Sequence, residues 1–584
     1  MKALKYLNKY FLKYRYRLAF GIVFSIIAKF FALVTPHLIG QSLKAVELYQ
    51  KGEITNITDV KHQLFINILL IIAAVIASGI FTFGMRQMII VMSRYIEFDL
   101  KNEIYQQYQH LSLNFYKKNK TGDLMNRISE DVGKVRMYFG PAIMYSINML
   151  TLFIIVIANM VRIDLQLTLY TLIPLPVLSL SIYILSGVIN KRSTVVQQYL
   201  SKLTAYVQET FSGINVIKAY GIESKNRDEF DILADESKEK NISLFKAQAL
   251  FFPLMILLIG MSNIFVIYFG GMQYINGEIE SLSVIAEFII YVNMLTWPVA
   301  VVGWVTSIVQ QAEASQKRIN EFLEVTPEIQ NEQLETSKVK GEIEFRNVSF
   351  TYDDTNITAL KNVSFKLEAG KTLAILGKTG SGKSTIINLI ARLYDIDSGN
   401  IFIDGIPIKD INLKSLREAI GFVPQESFLF SDSIANNIRF GNENADLNEV
   451  ENAAQQAYIH HNINNFKQGY KTLVGERGVT LSGGQKQRIS IARALIKKPT
   501  ILIFDDCLSA VDTETEEQIL NNLNKFINKR TAIIVSHRVS SVKNADTIIV
   551  LDNGKIIQQG THLQLLNKEG YYQELYEQQL LEKQ

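Results

Sequence analysis

Six apolar stretches, each long enough to cross a bilayer, crowd the first half of this chain, at 18–40, 64–85, 142–161, 165–189, 249–272 and 282–305. A hydrocarbon core about 30 Å thick needs roughly 20 mostly apolar residues in a helix. In that medium the backbone must satisfy its own hydrogen bonds, so these stretches predict an all-α polytopic membrane domain of six transmembrane helices. The clearest is LFINILLIIAAVIASGIFTFGM; the one from 282 is weaker, carrying Glu287, Asn293 and Pro298. No such stretch follows residue 340, and 584 residues are too many for a single core.

An even number of spans puts both termini on one side. Intervals 86–141 and 190–248 are long and rich in Lys and Arg, whereas 41–63, 162–164 and 273–281 are short and hold only Lys44, Lys51, Lys61 and Arg162. Basic excess marks the cytoplasmic side, so the termini are predicted to be cytoplasmic. The long intervals have helical periodicity, as in RYIEFDLKNEIYQQYQHL, and predict helices that extend far beyond the bilayer. The basic N-terminus, MKALKYLNKYFLKYRYR, reads as an amphipathic helix on the membrane surface. Lys2, Lys5, Lys9, Lys13 and Arg15 would meet lipid phosphates while Leu4, Leu7, Phe11 and Leu12 dip inward.

Polar groups within the apolar stretches or at their edges are costly and draw notice: Lys29, His37, Arg86, Asn148, Asn159, Asn263 and Glu287. Lys29 and Arg86 are candidates to line an internal cavity, or to snorkel or pair locally. A net charge of +4 is small for this size and gives no support for nucleic-acid binding. The single Cys507 excludes an internal disulfide.

Residues 326–340 are polar and read as a linker, and 341–584 as a second domain. There an apolar TLAILG runs into GKTGSGKST and then IINLIARLY, the order strand, glycine-rich loop, helix. Gly377, Lys378, Thr379, Gly380, Ser381, Gly382, Lys383, Ser384 and Thr385 therefore form a candidate P-loop for ATP. Its backbone N–H groups and the following helix end face phosphate, Lys383 reaches the β- and γ-phosphates, and the Ser384 hydroxyl is a ligand for Mg²⁺. A second buried strand, TILIFDD, ends in Asp505, placed to hold Mg²⁺, and Asp506. This half is predicted to be an α/β P-loop domain.

LSGGQKQR, at 481–488, completes a pattern. Together with the P-loop, ILIFDD, SAVD and SHR, in this order and spacing, it resembles an ATP-binding cassette (ABC) exporter half-transporter with its membrane domain fused ahead of its ATPase domain. VGERG at 474–478, KTGDLMNRISEDV and ETFSGINVIKAYGIE also look like exporter sequence. The resemblance implies that Tyr352 stacks on adenine, that Gln425 reaches Mg²⁺ and the attacking water, and that His537 contacts the γ-phosphate. It implies that Asp512 acts across an interface, and that Ser482, Gly483, Gly484 and Gln485 cap ATP held on an opposing chain. LSLNFYKKNK and QETFSGIN are implied to contain coupling helices.

The implied assembly is a dimer, since six spans are half of the family's pathway and a second helix end must complete each ATP site. The residue after the metal-binding Asp is usually Glu, the general base; here Asp506 is one methylene shorter. Some exporters are heterodimers in which one site is weakened by Asp at this place, while an intact LSGGQ serves the partner's strong site. That heterodimer is the expected arrangement, with a slow homodimer as the alternative. The expected activity is ATP-driven export or flipping of an amphipathic drug, lipid or peptide across the bacterial inner membrane; an ATP-gated channel or regulatory subunit is the alternative of another class.

Overall fold

The computed structural model of the chain describes residues 3–331, 333, 335–475, 481–507, 518, 519, 522, 526 and 530–581. It divides into two compact units, Met1–Gln109 with Gly122–Val325, and His110–Thr121 with Thr326–Gln584. The short segment 110–121 thus belongs with the second unit although helices of the first flank it on both sides.

The first unit opens with a 3₁₀ turn, Ala3–Leu7, followed by α1 (Asn8–Lys13), α2 (Arg15–Gln50) and α3 (Ile57–His110). After α4 (Leu113–Lys118), which lies in the second unit, come α5 (Thr121–Asn126), α6 (Val132–Met137) and α7 (Ile143–Ile163). Then follow α8 (Leu165–Leu172), α9 (Pro174–Ser212), α10 (Ile214–Tyr220), α11 (Glu223–Ala249), α12 (Phe251–Ile275) and α13 (Ser283–Leu323). Among the described residues five runs are long and apolar enough to cross a membrane: Arg15–Gln50, Ile57–His110, Thr121–Ile163, Glu223–Ile275 and Ser283–Leu323.

The expected span at 165–189 differs, being split between α8 and α9 at Ile173. Pro174 and Pro176 have no N–H to donate back into α8, so the ladder stops there. By contrast α3 is unbroken for 54 residues, about 80 Å at about 1.5 Å each, far more than a bilayer requires. One side of α3 buries Met85, Ile89, Met92, Ile96, Leu100 and Ile104, a helical stripe against the protein. Ile72, Ile76, Ile80 and Phe83 are exposed on it, as suits a surface solvated by lipid.

The N-terminal segment departs from the surface-helix expectation at Leu4, Leu7, Lys9 and Lys13, while Lys5, Leu12 and Arg15 are exposed. Leu4 and Leu7 are buried in the protein itself. Lys9 pairs with Glu103 at 2.6 Å and Lys13 with Asp99 at 2.5 Å. The physical reason is register: cations four residues apart meet carboxylates four residues apart on an antiparallel helix. Tyr6 and Tyr10 also donate to Glu103, and Tyr14 donates to Asp99.

The second unit is α/β. Strands β1 (Ile343–Tyr352), β2 (Ile357–Leu367), β4 (Ser398–Ile403) and β5 (Ile406–Pro407) form an antiparallel sheet in the order β2-β1-β4-β5. The larger sheet takes β3 (Thr372–Gly377), β6 (Ile420–Val423), β7 (Ile501–Asp505), β8 (Thr531–Val535), β9 (Thr547–Asp552) and β10 (Lys555–Gly560) in the order β10-β9-β3-β8-β7-β6. All its pairings are parallel except β9 with β10. Leu502 and Phe504 enter one core while Ile501 and Ile503 enter the other, so β7 is apolar on both faces, as a central parallel strand must be. The helices used below are α14 (Lys383–Ile390), α15 (Leu413–Ala419), α16 (Ile434–Arg439), α17 (Leu447–Gln456), α18 (His460–Asn464) and α19 (Gly483–Ile496).

Candidate functional site

The turn from β3 to α14 is the candidate phosphate cradle, and two of its glycines are required by geometry. Gly377 has φ +148 and Gly382 φ +104. A Cβ at Gly377 would collide with the Leu551 carbonyl oxygen, and one at Gly382 with the Ala359 carbonyl oxygen. Buried Lys383 closes the loop: its ammonium donates to the carbonyls of Gly377 at 2.8 Å and Lys378 at 2.9 Å. The Ser384 hydroxyl donates to Asp505 Oδ1 at 3.2 Å, so two of the three predicted metal ligands meet. Thr385 sits 3.0 Å from the Tyr352 hydroxyl.

Parallel strands β7 and β8 deliver the acids. Asp505 closes β7, opposite Val535 of β8. Asp506 follows in the left-handed region, φ +42, with its N–H donated to the Val535 carbonyl at 2.9 Å. Burial raises both carboxyls above the ordinary Asp value, a rise only partly opposed at Asp505 by the Ser384 hydrogen bond and the Lys383 charge. Burial likewise lowers Lys383, against the pull of Asp506 and Asp505. It lowers His537 too, with help from the Lys383 charge, so the imidazole is neutral near pH 7. The Asp505 carboxylate and the Ser384 hydroxyl that donates to it form a hard oxygen donor pair that suits Mg²⁺. Ser384 and Asp505 would hold that ion, which when bound neutralises charge on phosphate oxygens.

LSGGQ has a structural meaning the sequence reading did not supply. Ser482 is the N-cap of α19: its hydroxyl accepts from the Gln485 N–H at 3.3 Å, and Gln485 Oε1 accepts from the Ser482 N–H at 3.0 Å. This reciprocal capping box leaves the N–H groups of Gly483 and Gly484 at the helix mouth without intrahelical partners, the arrangement that receives an anion. Gln425 lies exposed just beyond β6. Asp512, the SAVD motif and residues 476–478 of VGERG fall outside the described residues.

Two contributors were not foreseen. The Lys117 ammonium of α4 lies 4.3 Å from the Tyr352 ring centre and 5.1 Å from that of Tyr394. Asn114 holds α4 in place by donating to Glu328 at 3.0 Å and Asp353 at 3.2 Å. The second is Gln579, which donates to the His537 carbonyl at 2.9 Å and accepts from the Val539 N–H at 2.8 Å, clamping the His537 turn. Lys117 is more than 200 residues from its rings in sequence, and Gln579 belongs to no motif, so neither carried a local signal.

Of the two implied coupling segments, 111–120 contains α4 and packs within the nucleotide unit. The other, 208–215, spans the α9–α10 junction of the membrane unit, where Phe211 is exposed.

A helical membrane unit joined to a P-loop unit that carries its own helix-capping signature defines a membrane transport ATPase of the ABC class. The ABC transporter transmembrane region family matches residues 18–299, and the ABC transporter family matches 360–509. The multidrug resistance-like ATP-binding protein MdlA of Escherichia coli is 35% identical over 585 residues, covering 100% of this chain and 97% of its own. The probable multidrug resistance ABC transporter ATP-binding/permease protein YheI of Bacillus subtilis is 38% identical, with 80% of each chain covered. The ATP-dependent lipid A-core flippase of Syntrophus aciditrophicus is 36% identical, covering 83% of this chain and 80% of its own. A solved structure of a bacterial Atm1-family ABC exporter with ATP bound matches with TM-score 0.80 and 27% identity, covering 97% of this chain and 98% of that one.

The chain belongs to the ABC transporter family, as an exporter half-transporter of the multidrug type in which membrane and nucleotide-binding domains are fused. It is a multi-pass membrane protein and an ATP-coupled translocase, and half-transporters of this class dimerise.

Proposed function

We propose that two nucleotide domains close around ATP and Mg²⁺, each P-loop facing the other chain's Ser482–Gln485, and that closure drives an amphipathic drug, lipid or peptide across the membrane by alternating access. The observation that carries this reading is the pair of helix mouths on one domain. The mouth of α14 serves the chain's own P-loop, while the capped mouth of α19, with Gly483 and Gly484 N–H groups to offer, serves a second nucleotide. Exposed Phe211 in the segment 208–215 offers a further contact for a partner chain. ATP-dependent uptake of a fluorescent amphiphile into inverted membrane vesicles tests the proposal. Uptake is expected with this chain and its partner and lost with Lys383→Met; uptake that persists without ATP overturns it.

The partner in this proposal is a different half-transporter. Asp506 is a methylene short, and its backbone, tied to Val535 in a left-handed conformation, has no slack to move the carboxylate forward. General-base placement is worth roughly 10²–10⁴ in rate, so this chain's own site is the slow one. Purified alone, the chain is expected to hydrolyse ATP at least about tenfold more slowly than the complex with its partner. Equal rates would point to the homodimer.

A further inference from the structure

We infer that the membrane unit holds a site for amphipathic anions, walled by α2, α3, α7 and α13 and centred on Lys29 and Arg86. This rests on the export reading and specifies the chemical class of its substrate. A cavity of about 240 Å³ lies between these helices, and Lys29, Arg86, Tyr145, Asn148, Met149 and Trp297 are among its walls. Among the described residues two cations line it, and no carboxylate does. Among the described residues neither Lys29 nor Arg86 has a hydrogen bond or ion pair. Asn148 adds to the asymmetry: its carbonyl oxygen is taken by the Ser25 hydroxyl at 2.9 Å, which leaves its NH₂ as a donor to the cavity. The one carboxylate in the six apolar stretches, Glu287, is buried and already engaged by the Tyr291 hydroxyl and by His37 at 3.5 Å.

Unpaired cations at membrane depth are costly and mark functional sites, and an anionic ligand supplies the counter-charge that the described residues of this chain do not. The remaining wall is methionine and aromatic, adaptable toward an apolar body. The volume falls below the ~300–1,000 Å³ of a whole drug-sized pocket, and so suits a charged head with the first part of its tail. The class is a phosphate, carboxylate or sulfonate on an apolar body, whether a membrane lipid or a soluble compound.

The test uses the full-length protein with its partner in nanodiscs of zwitterionic lipid. Trp297 and Trp304 are this chain's two tryptophans, and Trp304→Phe leaves Trp297 at the cavity as its reporter; the partner's own emission is subtracted using a Trp297→Phe, Trp304→Phe control. Quenching is titrated with dibromostearoyl lysophosphatidic acid, with the matching lysophosphatidylcholine, with a brominated alkylamine, and with bromonaphthalene sulfonate as the soluble anion. The lipid anion is expected to quench at concentrations at least tenfold below the zwitterion and the cation. Quenching by the sulfonate as well supports a class that includes soluble anions; quenching by the lipid alone supports one restricted to lipid. K29Q/R86Q should abolish the charge preference, and K29R/R86K, which keeps the charges, should retain it. Equal quenching by all charges, or a preference that survives K29Q/R86Q, overturns the inference. Absence of ATP-driven uptake of any probe, with charge-selective quenching intact, would instead remove the export reading.

Discussion

Lys117 places its ammonium 4.3 Å from the centre of the Tyr352 ring, so the candidate adenine platform is held by a residue of the 110–121 segment. The same ring is anchored at its hydroxyl by Thr385 of the P-loop helix. The ring that the resemblance assigns to adenine is therefore also the ring that seats α4. A cation over a partly desolvated aromatic face contributes about 0.5–2 kcal/mol.

Lys117→Gln is accordingly expected to raise KM for ATP about two- to tenfold, with a smaller effect on kcat, because the ring loses its support while the phosphate cradle is untouched. Steady-state ATPase over a range of ATP concentrations measures this. An unchanged KM would mean that the Tyr352 ring is held well enough by Thr385, Phe350 and Tyr394 alone.

The N-terminal clasp predicts a pH dependence. Burial would raise Glu103, but hydrogen bonds from Lys9, Tyr6 and Tyr10 outweigh it and hold the carboxyl below its ordinary value. A depressed carboxyl contributes stability that is present above the unfolded-state value and is lost as pH falls through the folded-state value. Residues 3–14 should therefore gain deuterium exchange on acidification below about pH 4.5, the ordinary Glu value. Glu103→Ala should produce the same loosening at pH 7, by on the order of 1–2 kcal/mol. Protection that ignores both changes would assign the clasp to Leu4 and Leu7 packing alone.

Much of this architecture was legible because its signals are local. The P-loop follows from the spacing of Gly377, Gly382 and Lys383, and the central strands from runs such as ILIFDD that are apolar on both faces. What escaped was set by tertiary partners. The basic N-terminus read as lipid-facing because Asp99 and Glu103, which capture Lys13 and Lys9, lie some 90 residues away. The span at 165–189 read as one helix because apolarity outweighed Pro174 and Pro176, whose two missing N–H groups fall together where α8 ends, whereas the single Pro36 and Pro298 leave α2 and α13 unbroken. In LSGGQ, resemblance pointed to ATP on another chain and hid the capping box that S-x-x-Q spells in any helix.

Two glycines of one loop should respond differently to the same substitution. A Cβ at Gly382 meets the Ala359 carbonyl and the Leu360 side chain in addition to φ +104, whereas at Gly380 no described residue lies within 4 Å and φ +80 alone opposes alanine. Gly380→Ala should cost about 1–2 kcal/mol of domain stability with residual ATP binding. Gly382→Ala should cost more than that and abolish ATP binding, because relief of the clash moves the N–H groups that face phosphate. Thermal unfolding with and without ATP separates the two. Equal losses would show that backbone strain alone governs the loop.

Asp506 sets opposing demands on reach and backbone, and substitutions there should separate them. Glu restores the methylene, so in the chain purified alone Asp506→Glu is expected to raise kcat about 10- to 100-fold. Yet the position has φ +42, which Asp tolerates better than longer side chains, so the same change should lower the melting temperature slightly. Asp506→Asn removes the base and should reduce the residual ATPase further. Its effect on stability has the other sign: burial raises the Asp506 carboxyl, so the folded state disfavours its charge, and the stability it contributes is present at low pH and lost as pH rises through the folded-state value. Without nucleotide and Mg²⁺, Asp506→Asn should therefore melt about 2 °C higher than the parent at pH 7, with the difference vanishing in acid. Faster turnover in the Glu variant together with a more stable Asn variant would assign the slow site to carboxylate reach; a Glu variant no faster than the parent would remove that explanation and the heterodimer preference built on it.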